Sequence, residues 1–386
     1  MISNIYFLLK QIIYNLKKKK TNFNLYWKNL NKNLLPQKLV YITNLFLKSD
    51  SYNYVSNFWH FLNIKNFDQL INHNSIDSEK TNSKKIDNES IKNYASTIAL
   101  NYFTFLDTNE NLIKNTYENV NETIIDYKVN LFKKHKNLNS DQSYKYNTLL
   151  ILLYENLKKL DEIKLLKLLN DKSFCGYADP FIDIDGIKIT QDKINSLFEW
   201  HFIKKIPISF NVKDNIILEL GAGSGRVAET ILTFNKNLKY VICDIPLALW
   251  ISYCRLKEAF PEKRIKLCCD INSKNEIEKA LIENDILFIF PHQIDLFREK
   301  IFDIFLAIDC LHEMDKKTIS KYMDLADKYS KYIYFTVREK SKVPFSPIKN
   351  ELSISGNNFF IKNNWTIEFK SKSIFPSDFY SICYKI

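Results

Sequence analysis

Three of the six glycines in this 386-residue chain lie within five residues, at Gly221, Gly223 and Gly225. They follow an apolar run at 216–220 that contains the acid Glu219. Glycine permits positive φ angles and lets a ligand approach the backbone where a Cβ atom would stand in the way. The run predicts a short buried strand, a glycine turn and then a helix, because a helical pattern resumes directly after the turn. This is the arrangement of a nucleotide-type cofactor site.

The spacing of the glycines and the acids near them indicate which cofactor binds. A dinucleotide site has the pattern Gly-x-Gly-x-x-Gly and rests a pyrophosphate on a helix N-terminus, but here the third glycine comes one residue earlier. Glu219 would repel a pyrophosphate but could hold a cation. S-adenosylmethionine carries an ammonium and a sulfonium group and has no phosphate. A second predicted strand, 239–243, leads to Asp244, which can accept bonds from two ribose hydroxyls; NAD sites use the same acid, so it supports the fold without choosing the ligand.

A further pair of polar residues, His292 and Gln293, follows a predicted strand at 286–290. Ligands on a parallel sheet lie beyond the carboxyl ends of its strands, so these side chains are placed to meet an adenine ring or its amino group. The alternative is that they pin their own loop through side-chain hydrogen bonds.

Several segments resemble the class I methyltransferases, and more narrowly the bacterial sugar O-methyltransferase family. They are 186–199, the glycine turn, 243–249, 290–293 and 302–314. The glycine turn is common to the superfamily, whereas Asp-Ile-Pro followed by Pro-His-Gln and Leu-His-Glu-Met is more specific to the family. The resemblance covers about 173–386.

The resemblance implies a Rossmann-like α/β fold. Its mostly parallel seven-stranded sheet ends in an antiparallel C-terminal hairpin. It also implies a helical N-terminal domain at 1–172, which helps to cover the acceptor site, before a cofactor-binding methyltransferase domain at 173–386. The cofactor implied is S-adenosylmethionine, and the acceptor is a sugar hydroxyl of a bacterial surface polysaccharide or its precursor. The cofactor-binding residues are expected to be Glu219, Gly221, Ala222, Gly223, Gly225, Asp244, Ile245, His292, Gln293 and Asp309.

The catalytic candidates follow the predicted strand at 304–308, where the methyl group and its acceptor are expected to meet. Methyl transfer to a hydroxyl needs an aligned oxygen and a group that takes its proton. His312 is the first choice of base because histidine titrates near neutral pH. Glu313 competes with it, since helix neighbours point about 100° apart and only one is expected to face the acceptor. A third alternative is a polar residue that only orients the substrate. No paired-acid spacing requires a metal.

The elements that must position these residues alternate after about residue 180. Predicted strands at 216–220, 239–243, 265–269, 286–290, 304–308, 332–337, 365–371 and 379–384 are separated mostly by amphipathic stretches. Such alternation predicts a mainly parallel sheet covered by helices on both faces. The last two strands are expected to pair antiparallel. The segment at 265–269 is expected to be surplus, because 286–290 and 304–308 look like neighbours.

The chain before this region lacks glycine up to 176 and reads as helices, including one at 1–16 and one near 144–169. A polar stretch at 72–93 predicts a loop. The apolar face of 1–16, followed by lysines at 17–20, suits either docking on the protein's own helices or peripheral contact with an anionic membrane. Docking is the preferred alternative.

Composition excludes several classes of function. The net charge of +11 comes from lysines scattered along the chain, so no nucleic-acid partner is predicted. Seven cysteines with no Cys-x-x-Cys pair favour neither a zinc site nor a disulfide framework, which fits a cytoplasmic location. A methyltransferase acting on RNA or another small molecule, an NAD-dependent oxidoreductase and an inactive binding module remain the alternatives to a sugar O-methyltransferase.

Overall fold

The computed structural model describes residues 23–76, 86, 128–135, 138–170, 180–210, 215–338, 360–375 and 379–386. Its centre is a sheet of eight strands. They are β3 (Ile216–Leu220), β4 (Lys239–Cys243), β5 (Ile265–Leu267), β6 (Ile286–Ile289), β7 (Phe302–Ile308), β8 (Ser330–Arg338), β9 (Thr366–Lys372) and β10 (Phe379–Lys385). The order across the sheet is β5-β6-β4-β3-β7-β8-β10-β9. The strands from β5 across to β8 pair in parallel, whereas β10 pairs antiparallel with both β8 and β9. The predicted fold class is confirmed.

The described helices before and within the sheet are α1 (Phe23–Asn29), α2 (Gln37–Lys48), α3 (Asn57–Ile76), α4 (Lys128–Leu131), α5 (Ser140–Lys159), α6 (Ile163–Asn170), α7 (Gln191–Ile203), α8 (Arg226–Phe234), α9 (Pro246–Ala259), α10 (Lys274–Glu283) and α11 (Lys316–Tyr329). Short 3₁₀ helices occur at Lys32–Leu34, Asp50–Tyr54, Pro291–Leu296 and Leu311–Glu313. A separate hairpin of β1 (Ile182–Ile184) and β2 (Ile187–Ile189) precedes α7. None of the described helices combines the length and apolar character that crossing a bilayer requires.

The inner strands are mostly apolar and almost fully buried, because both faces of the sheet are covered. All residues of β3, β6 and β7 are buried. Helices α8 and α9 contribute to one apolar cluster and α10 and α11 to the other. A parallel sheet buried on both sides needs such continuous apolar strands, whereas alternating strands would expose polar groups to the core. The two acids within these inner strands, Glu219 and Asp303, are both hydrogen-bonded.

The segment at 265–269, predicted to be surplus, is a strand. Ile265–Leu267 forms the sheet edge and pairs in parallel with β6. The prediction was wrong because it assumed that β6 and β7 are adjacent strands in the sheet. The strands β4 and β3 lie between them, so β6 is free to pair with β5 on its outer side. Within the part of the chain that the structure describes, the sheet consequently has eight strands and not the expected seven.

The N-terminal part also departs from expectation in detail. The predicted helix at 144–169 is two helices, α5 and α6, with Asp161 between them at a φ of 59°. Helix α3 continues through Ile76, into the stretch predicted to be a loop. The hairpin of β1 and β2 was not predicted as strands. The helix predicted at 1–16 and the lysines at 17–20 lie outside the described residues.

The helices before the sheet pack directly on it. One apolar cluster joins Phe23, Leu39 and Phe46 of the N-terminal helices to residues of β4, β6 and α9. The rings of Phe46 and Phe290 are 5.4 Å apart and meet edge to face. The domain boundary at residue 172 stays a prediction. Among the described residues, apolar side chains from before and after this position pack in one cluster.

Candidate cofactor cleft

The glycine turn after β3 has the backbone that its composition predicted. Gly221, Gly223 and Gly225 have φ angles of 70°, 58° and 75°. A Cβ atom on Gly221 would lie 2.9 Å from Cβ of Cys310, and one on Gly225 would lie 3.0 Å from Cβ of Ser252. A Cβ atom on Gly223 would have no protein atom within 4 Å. Two of the glycines therefore allow close packing, while Gly223 faces open space.

Asp244, directly after β4, ties this turn to the neighbouring strand. Its Oδ2 accepts the backbone N–H of Gly223 at 2.8 Å, and its Oδ1 accepts that of Ile245 at 2.7 Å. Burial raises the pKa of this carboxyl from its usual value to about 7, although the two hydrogen bonds from backbone N–H groups act in the opposite direction and lower it. Each carboxylate oxygen keeps further acceptor capacity, so both can take a hydrogen bond from a ligand hydroxyl.

A cleft with an empty volume of about 480 Å³, counting the space that opens to solvent, lies over these residues. Its lining is Tyr54, Val55, Ser56, Trp59, Leu220, Gly221, Gly223, Cys243, Asp244, Ile245, Ala248, Pro291, Cys310, Met314 and Tyr322. Among these residues Asp244 alone carries a charged group, and none is cationic. The single ionisable acid suits a ligand with hydroxyl or cationic groups.

Glu219 does not line the cleft, although the sequence predicted it there. Its carboxylate is buried in the sheet and accepts the hydroxyl hydrogen of Tyr240 at 2.7 Å. Burial raises the pKa of Glu219 to about 7, while the Tyr240 bond and the charge of Arg226 lower it. Glu219 thus belongs to the layer behind the cleft. Ala222 is also buried in the turn without lining the cleft, whereas Ile245 does line it.

The side chains of His292 and Gln293 form hydrogen bonds that hold their own loop in place, which was the alternative to contact with adenine. Gln293 is fully buried; its Oε1 accepts the Phe290 N–H at 2.7 Å, and its Nε2 donates to the carbonyls of Cys268 and Ile271, each at 2.7 Å. His292 is paired with Ser51 in the N-terminal region. Neither residue lines the cleft.

Asp309, at the end of β7, is held beside the cleft rather than in it. Its φ is 56°, and its carboxylate accepts the Thr336 hydroxyl at 3.0 Å and Arg226 Nη2 at 3.4 Å. Glu199 of α7, not singled out from the sequence as a site residue, lies in the same buried cluster and accepts the Tyr334 hydroxyl at 2.7 Å. Burial raises the pKa of Glu199 to about 8, and the charge of Asp309 raises it further.

The two candidate bases, His312 and Glu313, have opposite surroundings. His312 is buried with its ring edge-to-face on Phe379 at 5.2 Å, and burial lowers its pKa to about 3, aided by Arg338. Glu313 is half-buried, and burial raises its pKa to about 8, with Asp309 adding to the rise and Arg338 opposing it. Neither residue lines the cleft, but Cys310 before them and Met314 after them do. The pKa of Glu313 is the closer of the two to neutral pH, which makes Glu313 the stronger candidate for a base.

The cleft residues from the N-terminal region, Tyr54, Val55, Ser56 and Trp59, were not predicted. No periodicity or motif marks them, because their position depends on how the helices pack on the sheet. The described residues hold no group of three or more side chains that could bind a metal ion.

No protein-family model and no curated protein matches the chain. Among solved structures, the chain is similar to the pyocyanin biosynthetic protein PhzM at 12% identity and a TM-score of 0.33, over 49% of this chain and 55% of PhzM. It is similar to Aeropyrum pernix fibrillarin in complex with S-adenosyl-L-methionine at 10% identity and a TM-score of 0.33, over 54% of this chain and 83% of that one. A SAM-dependent methyltransferase from Aquifex aeolicus aligns at 9% identity and a TM-score of 0.32, over 51% of this chain and 94% of that one.

The buried acids predict how stability depends on pH. Burial raises the pKa values of Asp244 and Glu219 to about 7 and those of Glu199 and Glu313 to about 8. In the unfolded chain these groups lose their protons near pH 4, so between about pH 5 and 8 the folded state binds more protons than the unfolded state. The free energy of unfolding must then fall as pH rises through this window.

Thermal melting at pH 6 and at pH 8.5 measures this effect. We expect the melting temperature to be ~4 °C or more lower at pH 8.5. Glu199→Gln, which keeps the shape but cannot ionise, should reduce the difference. A melting temperature that rises with pH would show that the buried acids are ionised and well paired.

Proposed function

We propose that the chain is an S-adenosylmethionine-dependent methyltransferase that transfers a methyl group to a hydroxyl oxygen of a sugar. The observation that carries the cofactor assignment is the charge of the cleft: Asp244 lies beside the open glycine Gly223, and no cationic side chain is among the lining residues. The fold supports it, because a parallel sheet that ends in an antiparallel hairpin is the arrangement expected of class I methyltransferases.

An NAD-dependent oxidoreductase fits the cleft less well. Cationic side chains are common partners of a pyrophosphate, and none is among the lining residues. Arg226, at the start of α8, donates instead to Ser196 and Asp309 at 3.3 and 3.4 Å. S-adenosylmethionine needs no cationic side chain, because its ribose hydroxyls can donate to Asp244 and its methionine end carries positive charges itself.

The chemistry at the carboxyl end of β7 would be an in-line displacement at the methyl carbon. The acceptor oxygen forms a bond to the methyl carbon as the carbon–sulfur bond breaks, so the sulfonium becomes a neutral thioether. The hydroxyl proton passes to the Glu313 carboxylate, whose raised pKa makes it a competent base near neutral pH. His312 was the first choice from sequence, but its low pKa makes it a weak base.

The sugar acceptor rests on the resemblance of 186–199, 290–293 and 302–314 to sugar O-methyltransferases. A role in bacterial surface polysaccharide synthesis is part of the same proposal. A methyltransferase acting on RNA would instead bind its substrate with a steep salt dependence, which a binding titration at two salt concentrations would reveal.

Binding of S-adenosylhomocysteine, measured by isothermal titration calorimetry, tests the cofactor assignment. We expect micromolar binding to the chain and none of NAD. Gly223→Val should abolish binding, because its side chain would occupy the open space of the cleft. Asp244→Ala should weaken it by about 1.5 to 3 kcal/mol, the range for a hydrogen bond to a charged group.

A matched control for Gly223→Val is Gly186→Val in the turn between β1 and β2. Gly186 also has a positive φ, 74°, and a Cβ atom placed on it would have no atom within 4 Å, so both changes strain the backbone alike. The control should bind S-adenosylhomocysteine normally. Undiminished binding in Gly223→Val would place the ligand elsewhere.

The pKa of Asp244 predicts the pH dependence of this binding. Ligand hydroxyls donate to the ionised carboxylate, so protonation of Asp244 below its pKa of about 7 competes with the ligand. Affinity should fall about tenfold between pH 8 and pH 6. Asp244→Asn should bind more weakly at pH 8 and lose this pH dependence; a wild-type affinity that is constant with pH would contradict the assignment.

Turnover with nucleotide-linked sugars, followed by release of S-adenosylhomocysteine, separates the two candidate bases. Glu313→Gln should lower kcat by about 10²- to 10⁴-fold with little change in cofactor affinity. The wild-type rate should rise with pH towards about 8, the pKa of Glu313. His312→Asn is the comparison, and a larger loss there than in Glu313→Gln would return the role to His312.

A further inference from the structure

One wall of the cofactor cleft comes from a part of the chain that precedes the sheet by more than a hundred residues. Tyr54, Val55, Ser56 and Trp59 line the cleft together with the glycine turn and Asp244. They lie between the 3₁₀ helix Asp50–Tyr54 and the first turn of α3. We call residues 51–59 the N-terminal wall. It supplies the indole of Trp59 and the hydroxyl of Ser56 to a cleft whose other lining is largely aliphatic.

The start of α3 fixes the geometry of the wall. Ser56 Oγ accepts the backbone N–H of Trp59 at 3.4 Å, the bond of a helix N-cap, and Ser56 is buried. The cap places both residues on the first turn of a helix. Trp59 therefore presents its side chain to the cleft from a regular element rather than from an irregular loop.

The wall is joined to the sheet by Ser51 and His292. Ser51 Oγ accepts the His292 backbone N–H at 3.1 Å and lies 2.6 Å from His292 Nδ1. The serine hydroxyl can thus donate to Nδ1 while its oxygen accepts the N–H, which requires a neutral ring with Nδ1 unprotonated. Burial lowers the pKa of His292, which favours that neutral ring.

Tyr54 provides a second connection, to α11 and to the turn after β6. The Tyr322 hydroxyl donates to the carbonyl of Tyr54 at 3.2 Å, and the Tyr54 hydroxyl donates to Asp295 at 3.2 Å. The Lys321 ammonium lies 3.0 Å from the centre of the Tyr54 ring. The wall is consequently bonded on both sides of the carboxyl edge of the sheet.

We propose that the N-terminal wall is part of the cofactor site, with Trp59 in direct contact with the bound cofactor and Ser51 and His292 as positioning residues that hold the wall over it. The inference rests on the proposed function. The N-terminal helices would then take part in cofactor binding as well as covering the acceptor. His292 would act by holding Ser51 in place, and not by contacting the adenine ring as the sequence suggested.

Calorimetric titration of S-adenosylhomocysteine into the full chain and its variants tests the contact. Trp59→Ala should raise Kd by about 5- to 150-fold, the range seen when an aromatic ring that stacks on a ligand ring is removed. Trp59→Phe should recover most of the affinity. The matched control is Trp27→Phe: Trp27 belongs to the same N-terminal helices, donates to Asn44 at 2.8 Å and does not line the cleft, so its Kd should stay unchanged.

Two further readouts keep the test decisive if Trp59→Ala folds poorly. Saturation with S-adenosylhomocysteine should change the tryptophan fluorescence of the wild type and of Trp27→Phe, and the change should shrink strongly in Trp59→Phe. Ser51→Ala, which removes the bond to His292, should speed S-adenosylhomocysteine dissociation in stopped-flow displacement, and Ser51→Thr, which keeps a hydroxyl, should restore part of it.

The possible failures are distinguishable. If Asp244→Ala weakens binding but Trp59→Ala and Ser51→Ala leave both Kd and the dissociation rate unchanged, the wall is not part of the site and the proposed function stands. If the wild type binds no S-adenosylhomocysteine, the proposed function and this inference both fall.

Discussion

The buried carboxylate of Asp244 is the interaction on which the cleft depends. Its two oxygens accept the N–H groups of Gly223 and Ile245, so one side chain fixes both the glycine turn and the start of α9. A buried charge is costly unless it is hydrogen-bonded, and here the folded backbone supplies those bonds in advance. The remaining acceptor capacity faces a cleft whose lining carries no other charge. A ligand that brings hydroxyl donors would therefore complete the site.

Behind the cleft, acids outnumber the cations that face them. Glu199, Glu219 and Asp309 surround Arg226, and the pKa values of both glutamates are raised by burial while the charge of Arg226 lowers them. Two tyrosines, Tyr334 and Tyr240, donate to the glutamates. This arrangement uses hydrogen bonds from neutral hydroxyls where a second cation would otherwise be needed. Because burial favours the neutral form of both glutamates, Arg226 suffices as the cation beside them.

Patterns of neighbouring residues in the sequence predicted the individual strands and turns of the fold. The glycine turn, the apolar strands and the acid after β4 are determined by neighbours along the chain, and each occurs where the pattern indicated. The edge strand at Ile265–Leu267 was misjudged because strand order depends on contacts between distant segments. Gln293 illustrates the same difficulty for side chains. Its position after a strand suggested contact with a ligand, but its amide is held by the backbone N–H of Phe290 in its own turn and by two carbonyls, of Cys268 and Ile271, from the loop after β5. The N-terminal wall could not be read from the sequence, since nothing in residues 51–59 marks them as neighbours of a glycine turn beyond position 220.

A crystal structure of the chain with S-adenosylhomocysteine tests the central claim most directly. We predict that the ligand lies in the cleft, with both ribose hydroxyls at hydrogen-bonding distance from the Asp244 carboxylate, about 2.5 to 2.7 Å. We also expect the hydrogen bonds from the N–H groups of Gly223 and Ile245 to that carboxylate to persist. A ligand bound elsewhere, or ribose hydroxyls directed away from Asp244, would contradict it.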